Sequence, residues 1–201
     1  MTGTTLISVL IDSLNDKNSQ VRSKAKNSLV ACGVSAVEPL ITVLSTGTPR
    51  QAADAICVLG KIGDPRAIEP LINMLNAPNL LFRMNAAEAL GGLQTPRVVE
   101  ALLSAVSVAE ESEAVQTWSL SSLGKIGDQK AVLPLIAFLK ETSSPQLRYM
   151  TIKALGQLQD QRAIEAIVPF LKDADHHVRD YARDALINLG YGDIAQEDEA
   201  W

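Results

Sequence analysis

The chain has 201 residues, about one domain by length. Hydrophobic residues make up 47% and charged residues 20%, which supports a core and excludes a fully disordered chain. The formal charge of −5 excludes wrapping of a nucleic-acid backbone, which needs clustered Lys and Arg, and two cysteines exclude a secreted-type disulfide framework.

The N-terminus, MTGTTLISVLIDSLND, has no basic leader, and Asp12 interrupts its apolar run, so it does not read as a signal peptide. No run reaches the ~18 consecutive apolar residues of a membrane span. The expectation is a cytoplasmic protein with neither membrane nor nucleic acid as partner. Ala and Leu carry most of the apolar content and aromatic residues are 4%, a composition that favours helices over strands.

Self-similarity then organises the chain. In order, the copies are LVACGVSAVEPLITVL from Leu29, LGKIGDPRAIEPLINML from Leu59, LGGLQTPRVVEALLSAV from Leu90, LGKIGDQKAVLPLIAFL from Leu123 and LGQLQDQRAIEAIVPFL from Leu155. The anchors Leu29, Leu59, Leu90, Leu123, Leu155 and Leu186 are spaced by 30, 31, 33, 32 and 31 residues. The pattern predicts an all-α chain of about six helical pairs, roughly 4–31, 35–61, 65–93, 96–125, 129–158 and 161–189. A polar tail at 190–201 follows, all in a single domain, 1–201. Since one pair cannot bury its apolar face alone, the pairs must stack.

Asp64, Thr95, Asp128 and Asp160 fall at the N-cap of the first helices, and Gly63 and Gly127 at the preceding C-cap. Pro39, Pro70 and Pro134 fall inside first helices and are expected to bend them. Gly91 and Gly92 read as helical. Second helices follow an apolar-Arg-x-x-small-x-x-x-Leu pattern, as in Val21-Arg22 to Leu29 and Val178-Arg179 to Leu186. Their arginines, Arg22, Arg83, Arg148 and Arg179, read as packing residues of the repeat. The segment Val106–Ala114, with Glu110, Glu111 and Glu113, reads as an enlarged acidic loop.

The block A-L-G-x-I-G-D-x-x-A-[IV]-x-P-L, followed by an apolar-Arg-x-x-A helix, resembles the HEAT-like repeat of phycobilin lyases, from about residue 4 to 189. The resemblance implies a HEAT-like α-solenoid. It also implies a protein that binds a linear tetrapyrrole (a bilin), a phycobiliprotein subunit or both, and assists thioether attachment of the chromophore. The implied protein partner is a phycobiliprotein subunit or a second HEAT-like lyase chain, and the length suits the smaller chain of such a pair. No cofactor is required, the bilin being a candidate ligand. The residues alone favour equally a non-enzymatic scaffold for protein–protein interaction.

Counting back from each anchor Leu, positions −9, −5 and −2 share one stripe of the second helix, with −6 beside it. These positions give a candidate concave groove of Leu81, Met84, Asn85, Glu88, Trp118, Tyr149, Tyr181 and Asp184. A mostly apolar concavity with a few polar groups suits a tetrapyrrole or a partner helix. The alternative for Trp118 and Met150 is filling of gaps between repeats. Cys57 lies on the stripe as a candidate thiol toward a bilin's vinylic side chain, or as a small buried hydrophobe. No metal site is expected: His176 and His177 are neighbours on a helix and point about 100° apart. Arg66, Arg97, Lys130 and Arg162 recur in the first turn of first helices and read as a ladder with the capping Asp residues, the alternative being a basic edge for an acidic partner. No phosphate loop, nucleophile elbow or paired-Cys motif occurs, so catalytic residues stay unassigned.

Overall fold

Each second helix of the repeat opens on a side chain that can cap it. Asn18, Thr48, Asn79, Ser112, Ser144 and Asp175 each accept a hydrogen bond from a backbone N–H of the following first turn. These contacts come from a computed structural model that describes residues 3–108 and 111–192. Among the described residues there is no strand. The tail beyond residue 192 and Glu110 of the acidic loop lie outside the described residues.

The chain forms two compact units, Met1–Leu93 and Gln94–Trp201. The first holds α1 (Gly3–Ser13), α2 (Ser19–Cys32), α3 (Val37–Thr46), α4 (Pro49–Ile62), α5 (Ile68–Leu75) and α6 (Leu80–Leu90). The second holds α7 (Pro96–Ser107), α8 (Glu113–Ile126), α9 (Val132–Glu141), α10 (Pro145–Leu158), α11 (Ile164–Ile167) and α12 (His176–Asn188). Within each unit the helices pair in chain order, and the second helices form a row, α2–α4–α6 in one and α8–α10–α12 in the other. The six anchor leucines are at most 1% exposed. Full burial of such a side chain contributes about 1.5–3 kcal/mol.

Small residues set the spacing of these rows. A Cβ on Gly60 of α4 would lie 2.5 Å from the Ala89 Cβ of α6. One on Gly156 of α10 would lie 3.0 Å from the Ala185 Cβ of α12, and one on Gly124 of α8 3.1 Å from the Ala154 Cα of α10. The residue after an anchor Leu thus seats the residue before the next one. The arginines of the second helices close the loop inside each pair. Arg22 donates to the Asp16 and Lys17 carbonyls, Arg83 to those of Ala77 and Pro78, Arg148 to that of Ser143, and Arg179 to those of Asp173 and Ala174.

First helices depart from the sequence expectation at their entrances. Asp64, Asp128 and Asp160 do cap, but what they cap is a 3-10 turn, Pro65–Ala67, Gln129–Ala131 or Gln161–Ala163, that continues into the α-helix. Pro39, Pro70 and Pro134 are consequently the third residues of α3, α5 and α9, at the change from 3-10 to α geometry, rather than interior bends. Pro169 comes three positions later in its repeat than Pro134, and there α11 stops after Ile167 and gives way to a 3-10 helix over Val168–Lys172. Gly91 and Gly92 are not helical: α6 ends at Leu90, and a Cβ on Gly92 would meet the Gly60 carbonyl at 2.8 Å.

Gly63 and Gly127 end α4 and α8 in the left-handed conformation, with φ of 71° and 75°. Gln159 holds the equivalent place after α10 with φ of 53°. The stretch Ser19–Thr46 has an 18-residue window of mean hydropathy 1.7. Gly33, at φ 57° and ψ −135°, divides it into α2 and α3, of 14 and 10 residues. Each is shorter than the ~20 residues of a spanning helix.

Candidate functional site

The stripe residues of the first unit gather around Asp54, midway along α4. Its carboxylate receives the Lys26 ammonium at 2.8 Å, and the Arg22 Nε lies 4.0 Å away, so two of the three cations of α2 turn toward α4. Asn85 of α6 donates to the Ala53 carbonyl at 3.4 Å. Leu81, half exposed, and Asn85 line the same cleft of about 400 Å³, which also takes in Arg22, Arg50 and Asp54. Met84 is half-buried and Glu88 exposed on the same helix.

Cys57 is half-buried, one turn after Asp54. Burial pushes its thiol above the ordinary range. Lys26 and Lys61 pull it down, while Glu88 and Asp54 push it further up. The thiolate, the nucleophilic form, is therefore scarce at neutral pH.

In the second unit the stripe is aromatic. Tyr149 of α10 and Tyr181 of α12 stack with centroids 5.1 Å apart and planes 14° from parallel. The His177 ring stands 6.2 Å from Tyr149 at 58°, and the Lys153 Nζ is 5.9 Å from the centre of the Tyr181 ring. Tyr181, Lys153 and Asp184 line a cleft of about 200 Å³ with Gln157 and Asn188. Trp118 is half-buried on α8. The arrangement offers a flat π surface, one cation and one carboxylate side by side, which suits a planar conjugated molecule with polar edges.

The nine residues singled out from the sequence therefore divide between units. Leu81, Met84, Asn85, Glu88 and Cys57 belong to the first, and Trp118, Tyr149, Tyr181 and Asp184 to the second. The structure brings Leu81 to Asn85, stacks Tyr149 on Tyr181, and sets Tyr181 and Asp184 in one cleft. Two partners were not singled out, Lys26 for Asp54 and Lys153 for Tyr181. Lys153 holds the −2 position of the stripe itself, two residues before Leu155, whereas Lys26 lies one residue off the stripe.

His176 and His177 have ring centroids 3.9 Å apart, closer than their helical angle implies. Among the described residues no group of three His, Cys, Asp or Glu is placed to hold a metal ion. Two of the four basic residues of the first helices, Arg66 and Arg162, partner the capping Asp. Arg66 Nε reaches Asp64 at 2.9 Å and Arg162 reaches Asp160 at 2.6 Å. Arg66 extends further, to Glu38 and the Val34 carbonyl of the preceding pair.

The sequence profile of the HEAT repeats matches at residues 7–80, 37–110, 68–142 and 132–198. No curated protein sequence matches the chain. Among solved structures, the chain is similar to the complex of CpcE and CpcF of phycocyanin lyase from Nostoc sp. PCC7120. The identity is 28% over 92% of this chain and 77% of that one, with a TM-score of 0.59. It is also similar to a designed armadillo repeat protein, at 15% identity over 91% of this chain and 99% of that one, with a TM-score of 0.53. An engineered protein matches at 18% identity over 91% and 98%, with a TM-score of 0.60. These last two share the fold alone. With its profile matched from residue 7 to 198 and its helices paired at the repeat period, this chain belongs to the HEAT-repeat family of α-solenoids.

Proposed function

We propose that this HEAT-repeat scaffold binds a bilin and a protein partner, a phycobiliprotein subunit or a second HEAT-like chain, and assists chromophore attachment in the cytoplasm. The observation that carries the reading is the 28% identity to the CpcE–CpcF complex of phycocyanin lyase over 92% of this chain. The stacked Tyr149 and Tyr181 support it. A conjugated tetrapyrrole lies flat against tyrosine rings, and the Lys153 ammonium suits a propionate carboxylate. In this reading Cys57 has no covalent role, and burial raises its thiol further from the reactive thiolate. The protein holds and presents the pigment.

Absorption tests this directly. Phycocyanobilin mixed with the purified chain should shift and intensify its visible band, and co-expression with an apo-phycobiliprotein subunit should raise the yield of covalently coloured subunit. An unchanged spectrum together with an unchanged yield overturns the reading. The second reading is a scaffold without chemistry, which the matched HEAT repeats support by themselves. It predicts capture of the apo-subunit with no change in pigment absorption.

A further inference from the structure

We infer that a cleft at one edge of the second unit receives an arginine-bearing segment of a partner protein. This assignment is independent of the bilin reading, since it uses neither Tyr149 nor Tyr181. The cleft, of about 540 Å³, lies where α7 ends and α8 begins and where α9 ends and α10 begins. Its apolar lining is Val106 and Leu147, both buried, and the half-buried Phe138. Around that wall stand the exposed carboxylates of Glu113 and Glu141, and that of Glu111, whose Oε1 accepts from the Ser112 N–H at 2.8 Å. No lysine or arginine is among the described residues that line it.

The nearest cation on α10, Arg148, is turned away. It binds the Asp173 carboxylate at 2.9 Å and the Ser143 carbonyl at 3.2 Å. Gln116, 5% exposed, sits in the wall, and its amide nitrogen donates to the Val106 carbonyl at 2.8 Å and to that of Val108 at 3.4 Å. With the nitrogen held there, the amide plane is fixed and Oε1 remains the group's acceptor. Of the acidic loop's described residues, Val106, Ser107, Glu111 and Glu113 line the cleft.

Charge complementarity selects the occupant. A guanidinium is planar, stacks on an aromatic face and donates along its edges to carboxylates and an amide oxygen. Lysine's ammonium, a compact hydrated point charge, uses the ring less well. A volume of this size falls in the range of sites that enclose several side-chain groups, about 300–1,000 Å³, so a short segment enters with its arginine.

The test uses the full chain and three fluorescein-labelled probes, a short capped peptide of alternating Arg and Ala and its Lys and Gln counterparts. Fluorescence anisotropy at low salt should give saturable binding of the Arg probe, weaker binding of the Lys probe, and at least about tenfold weaker binding of the Gln probe. The double variant Glu113→Gln, Glu141→Gln should lose about tenfold in affinity for the Arg probe. Glu165→Gln, an exposed carboxylate outside the cleft, should stay within about twofold. Circular dichroism of the variants should match the parent, since both glutamates are exposed. Absence of saturable binding, equal binding of the Gln probe, or the same loss in Glu165→Gln as in the double variant overturns the assignment.

Discussion

A methyl group on Gly60 would meet both the Cβ and the Cα of Ala89, the latter at 2.6 Å. Neither belongs to a flexible side-chain end, so the helices themselves must separate. Gly60→Ala should lower the urea midpoint by an amount worth about 1–3 kcal/mol, the usual cost of overpacking. Gln159 shows the opposite case. It holds a left-handed φ that glycine holds at Gly63 and Gly127, a conformation costing an ordinary residue about 1–2 kcal/mol. Gln159→Gly should raise the midpoint by roughly 0.5–1 kcal/mol after the added flexibility of the unfolded chain is subtracted. A third residue-scale effect depends on pH. Hydrogen bonds from the Arg162 side chain, and then its backbone N–H, hold the Asp160 carboxyl at about 2 against an ordinary 3.8. Its folded value lies below its unfolded one, so its contribution is present above pH 3.8 and disappears as pH falls toward 2. Asp160→Asn keeps the cap and removes the titration. Acid unfolding followed by circular dichroism should show a shallower loss of stability across that window, and an unaltered slope would mean the pair contributes nothing.

At the scale of the helix, a repeat announces its own core. Leu90 or Leu123 alone is an ordinary leucine; six leucines at one period identify the buried face, and all six are buried. The C-cap glycines were legible for the same reason. The 3-10 entrances were not. Proline in a first turn and proline in an interior differ only in where the helix starts, and the capping Asp moved that start by three residues. The N-caps of the second helices, Asn18 through Asp175, carried a readable signal in residue type but no recurring identity to draw attention to them. If the face of α10 and α12 holds a ligand or partner, Tyr149→Ala with Tyr181→Ala should weaken binding by about 2 kcal/mol or more, roughly thirtyfold, with helicity intact. Phycocyanobilin titration and circular dichroism on the same sample separate this from a packing role, which would instead lower the unfolding midpoint and leave affinity unchanged.

At the scale of the whole chain, the family and the helical class were open to the sequence because stacking demands periodicity. The candidate site was open only in part. Helical phase places Tyr149 and Tyr181 on facing positions of neighbouring second helices. It does not reveal that Lys26 and Arg22 would both turn to Asp54, nor that four helix ends would enclose a cavity beside the acidic loop, since those depend on side-chain conformations and loop paths.

The Gly–Ala seats have a consequence for how such a chain changes length. In the second unit, Gly124 opens onto Ala154 as Gly156 opens onto Ala185. The segment 124–155 therefore begins and ends at equivalent seats. A tandem copy of it would find a surface of the right shape on either side and add one more layer. An insertion of one or two residues in α10 instead turns every later side chain by about 100° or 200° and carries Leu155 out of the core. Within this unit the period of the repeat is the step in which the protein can be lengthened, and shorter steps are selected against by the geometry of a single helix.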